Sequence, residues 1–272
     1  MCVKPLVIVK FGGSAVTFKN EVKRANLQVI RRLAREVYES MSHVNLVIVH
    51  GGGSFGHPFA HKYNLVNGFS DVKQLAGLAE TRYAMNELNQ IIVRALIDAG
   101  VPAITIQPSS CVVLRNGSIV HFYLEPIRLI LKLNCVPVLY GDVVFDEFLG
   151  FTILSGDKIS SYLALKLNAE RLVFACDVDG VYTADPKVNC NAKFISEIEA
   201  EELASFLKSI SADSGVAFDV TGGIIGKLNE LIEPALRGVE VLIVNALKPG
   251  FVRRAILGEE VKCTRIVKHF RK

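Results

Sequence analysis

The chain has 272 residues, half of them apolar, and 31 Lys and Arg against 27 Asp and Glu give a net charge of +4. That length can bury a core for one large α/β domain or two lobes, while no apolar run approaches the roughly 20 residues of a membrane span. The basic residues are dispersed apart from a short tail at Lys262, Arg265, Lys268, Arg271 and Lys272, and Trp is absent. This balance suits a small anionic substrate and lacks the dense basic stripe and stacking aromatics of a nucleic-acid binder.

Cys2, Cys111, Cys135, Cys176, Cys190 and Cys263 are scattered, with no C-x-x-C and no histidine at zinc spacing, so neither a metal site nor a disulfide scaffold is expected. Met1 to Pro5 leads straight into an apolar run with nothing like a signal peptide, which places the protein in the cytoplasm by expectation.

Leu6–Lys10 reads as a buried strand ending in a lysine, followed at once by Phe11-Gly12-Gly13-Ser14, with Lys19 beyond the turn. Asn20 is predicted to cap a helix whose apolar positions Leu27, Ile30, Leu33, Ala34 and Val37 recur at three and four. The next strand, Leu46–Val49, breaks into His50-Gly51-Gly52-Gly53-Ser54-Phe55-Gly56-His57. Glycines without Cβ let an anion approach the main chain, and consecutive N–H groups there can converge on it. Strand, glycine turn, helix, strand, glycine turn is the alternation of a parallel sheet covered by helices. Gly51, Gly53 and Gly56 also satisfy G-x-G-x-x-G, but the acid expected about 20 residues on, at the end of the next strand, is matched only by Asp71 in a loop. A plain tight turn is the remaining alternative.

A polar, aromatic-studded stretch runs to Ser70, and a long helix is predicted over Val72–Ala99, closed by Gly100. Its apolar residues include Leu75, Leu78, Ala79, Met85, Leu88, Ile91, Ile92 and Leu96. There follow a strand at Val101–Ile106, a hairpin Cys111–Leu114/Ile119–Phe122 turning at Asn116-Gly117, a helix at Pro126–Leu133 and a strand at Val136–Tyr140. A second hairpin, Val143–Phe145/Phe151–Leu154, leads to Ser155-Gly156-Asp157 opening a helix. Leu172–Cys176 is a strand that runs into Asp177-Val178-Asp179-Gly180, a turn without the ligand spacing of an EF-hand. A helix near Glu199–Leu207 precedes Thr221-Gly222-Gly223 and Lys227, which open a helix to about Leu236. That motif misses a P-loop by one residue of spacing and by Leu228 in place of Ser or Thr. Val241–Val244 and Thr264–Val267 complete the strands, with no linker and a second half starting near Ala169.

In this order, Lys-x-Gly-Gly-Ser, His-Gly-Gly-Gly, Ser-Gly-Asp, Asp-Val-Asp-Gly and Thr-Gly-Gly-x-x-x-Lys resemble the amino acid kinase family over nearly the whole chain. Gly51 to Pro58 is similar to one branch of it, the isopentenyl phosphate kinases found chiefly in archaea. The resemblance implies an open, mainly parallel α/β sheet with helices on both faces, a three-layer αβα sandwich. It also implies one domain over 1–272, with an acceptor lobe at about 1–168 and a nucleotide lobe at about 169–272. The implied reaction is ATP-dependent phosphorylation of isopentenyl phosphate in isoprenoid biosynthesis, by a cytoplasmic homodimer with no nucleic-acid or membrane partner.

On this resemblance, Lys10, Gly12, Gly13, Ser14 and Lys19 face the donor's terminal phosphates, with Lys10 on the group in flight. Gly51, Gly56, His57 and Gly156 hold the acceptor, and Gly52 lies on the ATP side. Asp157 orients the lysines, and Asp177, Gly223 and Lys227 line the nucleotide. Leu78, Thr81, Met85, Val143 and Ile153 form the slot for the acceptor's tail. Mg2+ arrives with ATP, held mainly by phosphates and water, and no protein metal site is implied. Phosphoryl transfer asks for positioning and positive charge, and a phosphate acceptor is already a nucleophile, which makes His57 a hydrogen-bond donor rather than a base. A kinase of another phosphate or phosphonate such as fosfomycin stays open, as does a silent nucleotide sensor, which Lys10, Lys19 and Asp157 disfavour. A Rossmann dehydrogenase is disfavoured by the missing strand-end acid and by Lys10 and Lys227.

Overall fold

A computed structural model of the chain describes residues 4–183, 191–205 and 224–268. The expected roles of Thr221, Gly222 and Gly223 and the end of the helix near Leu207 lie outside the described residues.

Alternation along strand β1 (Leu6–Phe11) sends Val7, Val9 and Phe11 into one hydrophobic core and Ile8 into another on the opposite face. Lys10 shares the face of Ile8. The same alternation divides β2 (Asn45–His50), with Leu46 and Ile48 on one side and Val47 and Val49 on the other. Val7, Ile8 and Val9 are fully buried, each contributing about 1.5–3 kcal/mol of transfer free energy.

Further along come β3 (Ala103–Thr105), β4 (Val112–Arg115), β5 (Ser118–Phe122), β6 (Val136–Tyr140), β7 (Asp142–Asp146) and β8 (Gly150–Leu154). The remaining strands are β9 (Arg171–Cys176), β10 (Val181–Tyr182), β11 (Phe194–Ile195), β12 (Glu197–Glu199), β13 (Glu240–Asn245) and β14 (Cys263–Val267). Among the described residues the main sheet has the order β12-β14-β13-β9-β1-β2-β6-β3. Only the β13–β14 pair in it is antiparallel.

Helices α2 (Leu27–Ser40) and α4 (Lys73–Asp98) cover one face of this sheet, through Leu33, Val37, Leu88 and Ile92. On the other face lie α5 (Glu125–Lys132) and α6 (Gly156–Lys166), through Ile127, Ile159 and Leu163, and a later helix, α7 (Ile224–Leu236), through Leu228 and Leu231. The chain therefore has the open, mainly parallel three-layer αβα architecture. The two predicted hairpins join into a smaller sheet, β5-β4-β7-β8, in which Asp146 accepts from the N–H groups of Asn116, Gly117, Phe148 and Leu149.

Three local expectations are corrected. The cap of α2 is Asn26, whose side chain accepts from Val29 N at 3.3 Å, because Thr17 and Ala25 bridge first and delay the helix beyond Asn20. The aromatic-studded stretch after the second glycine turn is in part a helix, α3 (Gly53–Lys62), despite Pro58 within it. A proline there leaves the Ser54 carbonyl one turn back without its amide partner, and Lys23 N–H fills that place at 3.0 Å. Third, Leu75 of α4 is 47% exposed, while Gln74 is buried and donates to the carbonyls of Tyr63, Asn64 and Gly68.

Candidate active site

Strands β1, β2 and β9 run parallel, so their carboxyl ends deliver Gly12–Ser14, Gly51–Gly53 and Cys176–Asp177 to one edge of the sheet. From β1 the chain turns to β2 on one side, whereas β9 returns on the other, and such a reversal opens a crevice at the strand ends. A cavity of about 390 Å³ occupies it.

Both glycine turns approach each other closely. A Cβ on Gly13 would stand 2.4 Å from Gly53 N, and Gly53 itself has φ +47. Gly12 N–H donates to Ala175 O at 2.8 Å and Gly51 N–H to Phe11 O at 3.0 Å, so these two amides are occupied within the fold. The N–H groups of Gly13 and Ser14, at the start of the short helix α1 (Gly13–Val16), and those of Gly52 and Gly53 have no partner among the described residues. They form the nest that an anion would occupy.

Lys10 is 3% exposed, and its Nζ lies 2.7 Å from Asp157 Oδ1 and 5.6 Å from the centre of the Phe174 ring. Asp157 stands in the first turn of α6, whose cap Ser155 accepts from Lys158 N, and its second oxygen is 3.6 Å from Lys227 Nζ. Burial alone would raise the Asp157 carboxyl, but Lys10 and Lys227 outweigh it and hold the group below the usual carboxylate range. One carboxylate thus spaces two ammonium groups over the cavity. At the other end, Asp177 accepts from Ser14 Oγ at 2.7 Å and pairs with Lys19 at 2.9 Å. Burial opposes ionisation there too, and the Lys19 and Ser14 contacts bring the Asp177 pKa below its ordinary value.

His57, in α3, is exposed at the cavity mouth. Partial desolvation first, then the charges of Lys227 and Lys10, lower its pKa against the opposing pull of Asp157. At neutral pH the imidazole is uncharged and keeps one N–H to donate.

Of the residues singled out in the sequence, Lys10, Gly12, Gly13, Ser14 and Lys19 line the cavity from β1 and the turn beyond it. Gly51, Gly52, Gly56 and His57 line it after β2, and Thr81, Met85, Ile153, Gly156, Asp157, Asp177 and Lys227 complete the wall. Leu78 and Val143 do not reach it. They belong to a small separate cluster with Leu65 and Phe151, which Ile153 joins from the cavity side.

Sequence reasoning passed over His50 and Asp142. His50 is fully buried under α4, its Nδ1 3.2 Å from Gly51 O and its Nε2 3.3 Å from Asn89 Oδ1, with its ring stacked on Tyr140. Desolvation lowers its pKa to about 4. The signal was present: His50 shares the parity of Leu46 and Ile48, which face the core. Asp142 opens β7 beside the cavity, accepts from the amides of Ser109 and Val143, and has its pKa raised by burial.

The sequence model of the amino acid kinase family matches residues 5–245. An isopentenyl phosphate kinase of Methanothermobacter thermautotrophicus is 40% identical over 272 residues, covering 96% of this chain and 98% of that protein. One from Arabidopsis thaliana is 33% identical, covering 88% and 86%. Among solved structures, an isopentenyl phosphate kinase superposes with a TM-score of 0.83 at 37% identity, over 96% of this chain and all of that one. The product complex of the Thermoplasma acidophilum isopentenyl phosphate kinase superposes with a TM-score of 0.80 at 25% identity, over 97% and 100%.

Proposed function

The chain belongs to the amino acid kinase family, and from that premise we infer that it is a phosphotransferase passing the terminal phosphoryl group of ATP to isopentenyl phosphate, a step of isoprenoid biosynthesis. The observation that carries this reading is the Lys10–Asp157–Lys227 bridge above two facing glycine turns.

In-line transfer between two phosphates develops negative charge that fixed cations and amides can meet. Lys10 would face the phosphoryl group in flight, with Lys227 and Lys19 on the donor's phosphates. The amides of Gly13 and Ser14 would hold the donor side, and those of Gly52 and Gly53 the junction. Gly51, Gly56 and Gly156 would admit the acceptor's phosphate close to the backbone, and His57 would donate to it. The acceptor oxygen is already ionised, so no residue has to remove a proton. Thr81, Met85 and Ile153 would bound the hydrocarbon tail, with Leu78 and Val143 behind them.

Mg2+ would accompany ATP and neutralise charge on its phosphates. No group of three or more His, Cys, Asp or Glu among the described residues could hold a metal, and Asp157 and Asp177 are each paired with lysine. This donor set fits an ion ligated mainly by phosphate and water. The division into an acceptor lobe over about 1–168 and a nucleotide lobe over about 169–272 follows the same assignment. A cytoplasmic homodimer without membrane or nucleic-acid partners completes the proposal. The basic residues are dispersed, and no helix among the described residues is long and apolar enough to cross a membrane.

A coupled ATPase assay with isopentenyl phosphate, fosfomycin, acetylglutamate and UMP tests the acceptor. Turnover is expected with isopentenyl phosphate; turnover confined to any of the other three would overturn the assignment. Sedimentation velocity reads the oligomeric state.

A further inference from the structure

Hydroxyls of helical serine and threonine often return to the carbonyl one turn back, and Thr17, just past α1, does so: its Oγ1 donates to Gly13 O at 2.8 Å. The same oxygen accepts a second bond, 3.0 Å, from Ser54 N–H in the first turn of α3. That helix lacks a cap of its own, because its N-cap is Gly52, with no side chain to satisfy the orphan amides of the first turn. A single buried hydroxyl, on a residue 2% exposed, therefore joins the carbonyl of one glycine turn to an amide of the other. The fit is tight, since a Cβ at Gly53 would stand 2.2 Å from Thr17 Oγ1 and 2.6 Å from Gly13 O.

We propose that Thr17 is a positioning residue for phosphoryl transfer, one that caps α3 from just past the end of α1 and thereby sets the spacing between the donor turn and the acceptor turn. Thr17 does not line the cavity, so it acts through Gly13 and Ser54 and touches neither substrate. By taking up the Ser54 amide it also leaves the amides of Gly52 and Gly53 to the anion. Each turn would still bind its own phosphate without Thr17, but the two phosphates would no longer be held in line. A misplacement of about 1 Å can lower a rate by about 10²-fold.

This inference rests on the phosphoryl-transfer reading above, and its test separates the two. Thr17→Val keeps the shape and removes both hydrogen bonds, whereas Thr17→Ser keeps the hydroxyl. With whichever acceptor the parent enzyme uses, Thr17→Val is expected to lower kcat by about 10- to 100-fold while KM for ATP and for the acceptor each stay within about threefold. Thr17→Ser is expected to keep most of the parent's kcat. If Thr17→Val does not fold, Thr17→Ala is read in the same way. A lowered melting temperature with unchanged kcat, a loss confined to the KM of one substrate, or no rescue by serine would each overturn the assignment. Failure of the parent enzyme to use isopentenyl phosphate would overturn the functional reading instead and leave the ratio of variant to parent as the measure of Thr17.

Discussion

Lys10 Nζ and Asp157 Oδ1 lie 2.7 Å apart although one residue stands next to last in β1 and the other in the first turn of a helix after the second hairpin. Their pairing is the point at which sheet, helix and cavity meet. Lys10→Ala is expected to fold, because Asp157 retains Lys227 at 3.6 Å, and to lower kcat by roughly 10²–10³. Steady-state kinetics beside a thermal melt check this, and turnover like the parent's would sink the role of Lys10.

The neutral state of His57 leads to a second expectation. Its pKa lies below the ordinary histidine value, so over the neutral range it donates a hydrogen bond without carrying charge. His57→Ala should lose most activity, and His57→Gln, which keeps a neutral donor, should retain a measurable part, with ATP affinity nearly unchanged in both. A general base would leave Gln as inactive as Ala, since an amide accepts no proton at neutral pH.

His50 sets an acid limit to stability. Its pKa falls from 6.5 when unfolded to about 4 in the folded chain. The folded state thus binds fewer protons, and the stability due to the neutral ring is complete above pH 6.5 and is lost as pH falls toward 4. The contribution is on the order of 3 kcal/mol. Denaturant unfolding from pH 7 to 4 should show the decline in the parent and a shallower one in His50→Gln. An equal slope in the two would remove His50 as the cause.

Met85 is 2% exposed, and its Sδ would lie 2.8 Å from a Cβ at Gly56. If it closes the end of the tail slot, Met85→Ala should admit longer prenyl phosphates. As plain core it would only lose stability, by roughly 2–5 kcal/mol. A chain-length series and a thermal melt on the same variant separate these outcomes: a large drop in melting temperature with unchanged length preference rules out the slot.

Much of this site was legible in the sequence because parallel strands put their turns on one edge. Once Leu6–Lys10 and Leu46–Val49 read as buried strands, Gly12, Gly13, Gly51 and Gly52 had to share a neighbourhood, and Lys10 had to stand beside them. What escaped depended on partners distant in the chain. Nothing around Pro58 indicates that its unpaired Ser54 carbonyl will be met by Lys23. The two hairpins were readable singly, but their union through Leu114 and Asp146 is a tertiary event. Leu78 and Val143 came to the tail slot only through the family resemblance, and their place behind Ile153 is decided by how α4 packs on β7.

The position of β1 in the sheet order bears on how the molecule comes into being. This first strand is flanked by β2 on one side and β9 on the other, so Val7 pairs with Leu46 early in the chain but must wait for Arg171 to complete its second edge. Closing such a long loop before its contacts repay the lost entropy makes parallel pairing slow. Until then the strand that bears Lys10 presents an open, apolar edge, the kind that invites association with another chain. The residue on which transfer would depend is thus hung on a strand synthesised well before β9 and sealed late, and a ribosome-bound chain ending before Arg171 cannot yet hold Gly12 against Ala175.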